Sequence, residues 1–240
     1  MPDTGTLYGV GIGPGDPELL TLKAARVIGA VPVIAVPVAR PGGRSYALDI
    51  VAGMLRPEQE ILKLLFPMLK DASAKASYRR AAAESVLAVL RSGRDVAFLT
   101  EGDPLFHSTF IYLLAELPAG TPLEIVPGIS SVNAAAAQAQ LPLVNAGQRL
   151  AILPVTFEDE AALRETLRTF DTVVLMKFHR DLDRLLDLLD ELDLTGCAVI
   201  VERASHADGR VIRDVRSLRG RELHYLSLMI VRGGSCLQNW

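Results

Sequence analysis

The chain has 240 residues, half of them hydrophobic, and a formal net charge of -3 at pH 7. This length allows one large domain or two small ones with a sizeable apolar core, and the slight negative charge argues against general binding to nucleic acid. No charged segment is followed by the apolar stretch of a signal peptide, and no apolar run is long enough to span a membrane. We therefore predict a cytoplasmic protein without a membrane partner. Cys197 lies in an apolar run, which predicts a buried free thiol.

The first half of the chain alternates runs typical of strands with runs typical of helices. Predicted strands cover residues 7–10, 33–36, 61–65 and 95–100. Predicted helices cover residues 17–28, 46–54, 78–90 and 109–116. This alternation is typical of an α/β domain with a mostly parallel sheet.

A segment rich in proline and glycine, residues 118–122, breaks the pattern and predicts a linker between domains at 1–117 and 123–240. Strands are then predicted at 123–126, 150–153, 172–176 and 197–201, with helices at 132–139, 161–167 and 182–192. The last two predicted strands, 210–215 and 225–231, have no helix between them. We expect these two to pair antiparallel, which would make the second sheet mixed.

Two glycine-rich turns share the ending Gly-Asp-Pro. The run GVGIGPGDP covers residues 9–17, and EGDP covers 101–104. Glycine lets the backbone approach a guest closely, while Asp at the N-cap and Pro at the first helical position predict a helix after each turn. Because ligands bind at the carboxyl ends of strands in open α/β sheets, these turns predict a binding site. A purely structural strand–turn–helix is the alternative.

Several common sites are not supported. Asp16 stands where a dinucleotide-binding fingerprint needs its third glycine, and its carboxylate would repel a pyrophosphate. No Gly-Lys-Ser or Gly-Lys-Thr follows, which excludes a P-loop. The four histidines are scattered without ligand spacing, so no metal site is predicted.

Five spaced motifs cover most of the chain in one order. They are GVGIGPGDPELLTLKA at 9–24, EGDPLF at 101–106, VPGISS at 126–131, VVLMK at 173–177 and ERAS at 202–205. The set resembles the tetrapyrrole methylases, the class III S-adenosylmethionine-dependent methyltransferases of corrinoid and sirohaem synthesis. The segments SYA at 45–47, FPM at 66–68 and GDPLFHST at 102–109 resemble the precorrin-2 C(20)-methyltransferase subgroup. That subgroup more often has Tyr at the position of His107.

The resemblance implies two α/β domains, the first with a mostly parallel sheet and the second with a mixed sheet, and S-adenosylmethionine in the cleft between them. It also implies a homodimer. The cofactor contacts implied by the resemblance are Pro14, Gly102, Asp103, Phe106, Ser130, Ser131, Met176, Ala204, Leu228 and Met229. Met176 and Met229 could instead be ordinary core residues of strands.

The expected reaction is methylation of C-20 of precorrin-2, giving precorrin-3A and S-adenosylhomocysteine in cobalamin biosynthesis. Asp16 is the candidate base, with helix capping as its alternative or additional role. Arg40 and Arg44 are candidate anchors for substrate carboxylates, with solvated loop charge as the alternative. Other functions left open are methylation of cobalt-factor II, another tetrapyrrole methylation, and a tetrapyrrole-binding carrier without turnover.

Overall fold

A computed structural model describes residues 4–69, 71–178 and 181–233. The chain divides between Ser130 and Ser131 into two compact units. This division falls later than the linker predicted at 118–122, because the strand after that segment pairs with the first strand of the chain. Both units are α/β.

The first unit contains a five-stranded sheet whose strands are all parallel. Its elements are β1 (Leu7–Gly11), α1 (Leu22–Ala30), β2 (Val33–Val38), α2 (Tyr46–Val51), β3 (Glu60–Leu65), α3 (Ala72–Arg91), β4 (Val96–Thr100), α4 (Phe110–Leu114) and β5 (Leu123–Val126). The strand order is β3-β2-β4-β1-β5. The prediction of a mostly parallel first sheet is confirmed.

Apolar clusters cover both faces of this sheet, which explains why its central strands are apolar at nearly every position. Leu7 and Phe98 pack with α3 and with Phe110 of α4 on one face. Val10 and Leu99 pack with α1 and α2 on the other face. Gly9 makes the first packing possible, because a Cβ there would lie 2.5 Å from the Phe110 ring.

The second unit contains a mixed five-stranded sheet, as predicted. Its elements are α5 (Ser131–Ala139), β6 (Leu150–Pro154), α6 (Glu160–Thr169), β7 (Thr172–Met176), α7 (Leu182–Glu191), β8 (Ala198–Glu202), β9 (Arg210–Ile212) and β10 (Ser227–Arg232). The strand order is β6-β7-β10-β8-β9. Strands β6 and β7 are parallel, whereas β10 runs antiparallel to β7 and β8.

The expected pairing of the last two strands is wrong. β9 and β10 lie on opposite sides of β8, and each is antiparallel to it. β10 is buried along its whole length and occupies the middle of the sheet. The short β9 begins with exposed Arg210 and lies at the edge, where a solvated side chain is tolerated.

Two predicted helix starts also need correction. The helix expected at 17–28 is interrupted, because a three-residue 3-10 helix (Pro17–Leu19) ends at the extended residue Leu20. Thr21 then caps α1 by accepting the N–H of Ala24. Asp103 and Pro104 form a turn rather than a helix start, and α4 begins only at Phe110.

Cys197 is buried, as predicted, but it takes part in a disulfide, so the expectation of a free thiol is wrong. Cys236 lies outside the described residues. Within residues 4–69, 71–178 and 181–233, no helix has the length and apolar character needed to cross a membrane.

Candidate functional site

Three loops meet backbone to backbone at the carboxyl edge of the first sheet. They follow β1, β4 and β5, which are neighbours in that sheet. The N–H of Gly102 donates to the carbonyl of Gly13 at 2.8 Å. A Cβ at Gly11 would lie 2.6 Å from the nitrogen of Gly128, and a Cβ at Gly128 would lie 2.2 Å from the Gly102 oxygen. Glycine is therefore required at Gly11 and Gly128, because any side chain would force the loops apart.

Asp103 ties two of these loops together. Its Oδ2 accepts the N–H of Gly128 at 3.0 Å, and its Oδ1 accepts the N–H of Leu105 at 2.9 Å. Both carboxylate oxygens thus bind backbone groups of the loops themselves. The chain after Gly102 does not enter a helix, so the expected helix N-terminus at this point is absent from the described chain.

The sequence did not reveal that two buried hydroxyl groups, one before and one after the second glycine turn, contact each other. Thr100 Oγ1 and Ser108 Oγ are 2.9 Å apart, and Ser108 Oγ also accepts the N–H of Phe110 at 3.0 Å. A serine two residues before an apolar helical run is a recognisable capping signal. Along the chain between Thr100 and Ser108 lie half-buried Phe106 and exposed His107, whose ring centroids are 4.9 Å apart. His107 has a left-handed backbone, with φ of 52°.

Asp16 caps the short 3-10 helix after the first glycine turn. Its Oδ1 accepts the N–H of Glu18 at 2.8 Å, as the capping alternative predicted. The preceding Pro14 is buried. Asp16 therefore shapes the same loop that contains Gly11 and Gly13, whatever further role its carboxylate has.

Arg40 and Arg44 lie on the loop that follows β2, at the same edge of the first sheet. Both are exposed. Arg44 Nε is 2.6 Å from Asp49 Oδ2, and its guanidinium carbon lies 5.7 Å from the centroid of the Tyr46 ring. The hydrogen bond and charge of Asp49 raise the pKa of Arg44 above its ordinary value. Arg44 is thus oriented by its own loop.

In the second unit, three of the predicted cofactor residues lie at one edge of the mixed sheet. Met176 ends β7 and pairs with Leu228 of β10. Ala204 follows Glu202, the end of β8, which pairs with Ser227. Ala204 and Leu228 are buried, and Met176 is half-buried. The antiparallel β10 thus begins where β7 and β8 end.

The side chain of Met229 lies in the core of the second unit. It is fully buried in the cluster that includes residues of α6 and α7, so the core alternative holds for its side chain. Of the two predicted serines, Ser130 is half-buried in the loop after β5 and Ser131 is the first residue of α5. Among the described residues, no group of three or more His, Cys, Asp or Glu is placed to hold a metal ion.

Comparison with known proteins agrees with this architecture. A sequence profile of the Tetrapyrrole (Corrin/Porphyrin) Methylases matches residues 6–217. The chain belongs to this family. It is 35% identical over 228 residues to the cobalt-precorrin-2 C(20)-methyltransferase of Salmonella typhimurium, covering 95% of this chain and 96% of that protein. It is 36% identical over 237 residues to the precorrin-2 C(20)-methyltransferase of a Sinorhizobium species, with the same coverage of 95% and 96%.

The chain also matches a longer protein and solved structures. The chain spans about half the length, 47%, of the cobalamin biosynthesis protein CobIJ of Mycobacterium tuberculosis, to which it is 39% identical over 242 residues. Among solved structures, uroporphyrin-III C-methyltransferase from Thermus thermophilus complexed with S-adenosylhomocysteine matches with a TM-score of 0.66 and 25% identity. That match covers 95% of this chain and 92% of the other.

Proposed function

We propose that this chain methylates C-20 of precorrin-2 with S-adenosylmethionine, giving precorrin-3A and S-adenosylhomocysteine in cobalamin biosynthesis. The observation that carries the proposal is the meeting of three glycine loops at the carboxyl edge of the first sheet. It occurs in a chain that is 35% and 36% identical to two C(20)-methyltransferases over 95% of its length. Such an edge is the usual ligand site of an open α/β sheet.

The residues present fit this cofactor. Glycine brings the three loops together here, and the N–H groups of Gly102 and Gly128 are bound within the loops themselves. We propose that the backbone next to these contacts holds the polar amino-acid part of the molecule. We assign Pro14, Gly102, Phe106, Ser130 and Ser131 to that part. Asp103 acts through the loop that it holds.

For the adenosine part we assign half-buried Met176, Ala204 and the backbone of Leu228 and Met229. An apolar surface with a few backbone polar groups is typical of such pockets. When bound, the cofactor supplies an electrophilic sulfonium methyl group for attack by the electron-rich bridging carbon. The task of these residues is then to hold the reacting atoms in line and exclude water.

A proton must leave the carbon that has been methylated, and we propose that Asp16 accepts it. The carboxylate lies on the loop after β1, and its bond to the Glu18 N–H fixes its orientation. An oriented carboxylate within reach of the reacting carbon can serve as a general base. Capping and proton transfer are compatible roles for the same side chain.

Arg40 and Arg44 are proposed to bind carboxylates of the tetrapyrrole. Arg44→Ala should raise KM for the tetrapyrrole about tenfold or more, as expected for loss of a charge-assisted hydrogen bond. Its Kd for S-adenosylhomocysteine should change much less. Arg91→Ala is the matched control, because exposed Arg91 ends α3 just before β4 begins and so lies at the opposite edge of the sheet. A larger effect on cofactor affinity than on KM would remove Arg44 from the substrate side.

The decisive experiment offers methyl-labelled S-adenosylmethionine with precorrin-2 and with cobalt-factor II in separate reactions. Mass spectrometry should find one added labelled methyl group on the tetrapyrrole. Product from cobalt-factor II alone would assign the chain to the cobalt-containing route. Tight cofactor binding without any product would favour a tetrapyrrole-binding carrier, and methylation at another carbon would favour a different tetrapyrrole methylase.

We also propose that the protein is cytoplasmic and forms a homodimer, as expected for the family. Sedimentation equilibrium of the purified chain tests the second point. A single species with the mass of one chain, at micromolar concentration, would contradict it.

A further inference from the structure

The turn that follows β8, residues 203–209, has a backbone that its residue types do not favour. Arg203 and Ser205 have φ of 51° and 62°, in the left-handed region. A Cβ at Gly209 would lie 2.3 Å from the Arg203 carbonyl oxygen. Left-handed conformations cost free energy at residues other than glycine and persist where surrounding contacts impose them. We call residues 203–209 the β8 turn.

The side chain of Glu202 makes the first contacts that hold the β8 turn in this shape. This carboxylate is buried, with only 6% of the residue exposed. Its Oε1 accepts the N–H of His224 at 2.6 Å, and its Oε2 accepts from Nε of Arg210 at 2.5 Å. Glu202 thereby joins the end of β8 to the start of β9 and to the segment that leads into β10.

The side chain of Arg203 contacts two other residues of the β8 turn. Its Nε is 2.7 Å from Asp208 Oδ1, and its terminal nitrogen donates to Nδ1 of His206 at 3.2 Å. A guanidinium has only donors, so this nitrogen of His206 acts as an acceptor. His224 Nε2 also lies 3.3 Å from the guanidinium. Because His224 Nδ1 accepts the N–H of Leu226, its Nε2 carries the proton and contacts the guanidinium without accepting from it.

The part of the turn assigned to adenosine, at Ala204, follows these two charged residues. The N–H of Arg203 donates to the carbonyl of Leu226 at 2.7 Å. The N–H of Ser205 donates to Oε1 of Gln138 on α5 at 3.0 Å. Ala204 is therefore held beside the start of β10, at the same sheet edge as Met176 and Leu228.

We propose that Glu202 and Arg203 are positioning residues for the methyl donor: they hold the β8 turn so that the backbone at Ala204 meets the adenosine moiety. This inference rests on the proposed function, and it adds that the two charged residues of the ERAS motif act through the turn rather than by touching the ligand. Each charge has an ion-pair partner in this chain: Glu202 pairs with Arg210, and Arg203 pairs with Asp208.

The test measures the Kd of S-adenosylhomocysteine by calorimetry and the Tm of each variant. Arg203→Gln should raise Kd about tenfold to a hundredfold, since it removes charge-assisted hydrogen bonds that set the turn. Arg203→Lys should recover part of the affinity, because lysine keeps the charge facing Asp208 and loses the forked contact that also reaches His206. With the donor saturating, KM for the tetrapyrrole should stay within about twofold of wild type, because the turn is assigned to the donor alone.

Arg164→Gln is the matched control. Arg164 of α6 is also a partly buried arginine, 27% exposed, with carboxylate partners Glu160 and Glu191. Its variant should lower Tm to a similar degree and leave Kd unchanged. Asp208→Asn serves if Arg203→Gln does not fold, because the Asp208 side chain is 69% exposed. The Kd of this variant should rise about threefold or more if the Arg203–Asp208 ion pair helps to hold the turn.

The outcomes separate the two proposals. Wild-type protein that fails to bind S-adenosylhomocysteine overturns the proposed function, and with it this inference. Wild-type binding with unchanged Kd in Arg203→Gln, or in Asp208→Asn where the first variant does not fold, overturns the positioning role and leaves the proposed function standing. Equal loss of affinity in Arg164→Gln would also overturn it, because the effect would then follow stability alone.

Discussion

The carboxylate of Asp103 accepts the backbone N–H of Gly128 at 3.0 Å, across 25 residues of chain. One side chain thus holds together the loops after β4 and β5, while its other oxygen accepts from Leu105. Asp103 belongs to the EGDPLF motif, which resemblance assigns to cofactor contact. Its observed partners show that the same residue also fixes the spacing of two loops.

Asp103→Asn should disturb these loops, because the amide replaces one acceptor by a donor that faces a backbone N–H. We expect the free energy of unfolding to fall by about 2 kcal/mol and the affinity for S-adenosylhomocysteine to fall with it. Asp71→Asn is the control, since Asp71 caps α3 through the Ala74 N–H and Asn is an equally good cap. Urea denaturation and calorimetry measure the two effects, and unchanged affinity in Asp103→Asn would contradict the role described.

Gly128→Ala should be strongly destabilising. The added Cβ would lie 2.2 Å from the Gly102 oxygen and 2.8 Å from Gly11, so the loops must separate. Gly29→Ala provides the contrast, because nothing lies within 4 Å of a Cβ at that helical position. It should stabilise the protein by up to about 1 kcal/mol through helix propensity. Thermal unfolding compares the two, and a tolerated Gly128→Ala would show that the loops are not in tight contact.

Asp16 has two proposed roles that a pair of variants separates. Asp16→Asn retains the cap on the Glu18 N–H, whereas Asp16→Ala removes it and should cost about 1 kcal/mol of stability. If Asp16 is also the base, both variants should lower kcat by about a hundredfold. Full activity in Asp16→Asn would leave the residue with capping alone.

Gln59 should matter for stability and leave the site intact. Its Nε2 donates to the carbonyls of Ile28 and Val31 at 2.7 and 2.8 Å, and its Oε1 accepts the Arg56 N–H. Gln59→Leu removes all three bonds and leaves the Val31 carbonyl with only a long contact of 3.5 Å from the Arg56 side chain, which should cost about 2–3 kcal/mol. Half-buried Gln148 makes one comparable bond, to the N–H of exposed Asn145, so Gln148→Leu should cost less than about 1 kcal/mol. Cofactor affinity should be unchanged in both.

Asp190 should contribute stability only above acid pH. A hydrogen bond from Thr195, then Arg216, lowers its pKa from the ordinary value. A carboxylate whose pKa is lower in the folded state stabilises it above the unfolded pKa near 3.9, and that contribution is lost as pH falls through the folded-state pKa. Wild type should therefore exceed Asp190→Asn in urea midpoint at pH 6, and the gap should close in acid. Glu165→Gln controls for net charge, and a gap that persists at low pH would exclude this linkage.

Fold class and family could be predicted because their signals are local. Strands such as β4, buried at every position on a sheet covered on both faces, read as continuous apolar runs, and the motifs occur in order along the chain. Strand partners could not be predicted, since neither period nor composition states which strands are neighbours. The apolar run at β10 was found, but its place between β7 and β8 depends on the whole second unit.

The two Asp-Pro pairs show the same limit within the site. Asp16-Pro17 opens a short helix, as expected. Asp103-Pro104 does not, although Asp103 accepts the N–H two residues on just as Asp16 does; what distinguishes Asp103 is that its second oxygen accepts from Gly128, far along the chain. Likewise the charges of Glu202 and Arg203 are visible in the sequence, whereas their partners Arg210 and Asp208 emerge only from the shape of the turn.

The position of β10 has a consequence for synthesis on the ribosome. The first sheet is complete once residue 126 has left the exit tunnel, since β5 is its last strand. The second sheet lacks its central strand until residues 227–232 emerge. Until then, β7 and β8 each have one edge whose backbone groups are not paired with β10. Nascent chains halted before that point would expose two apolar strand edges, the kind of surface that chaperones bind and that drives aggregation.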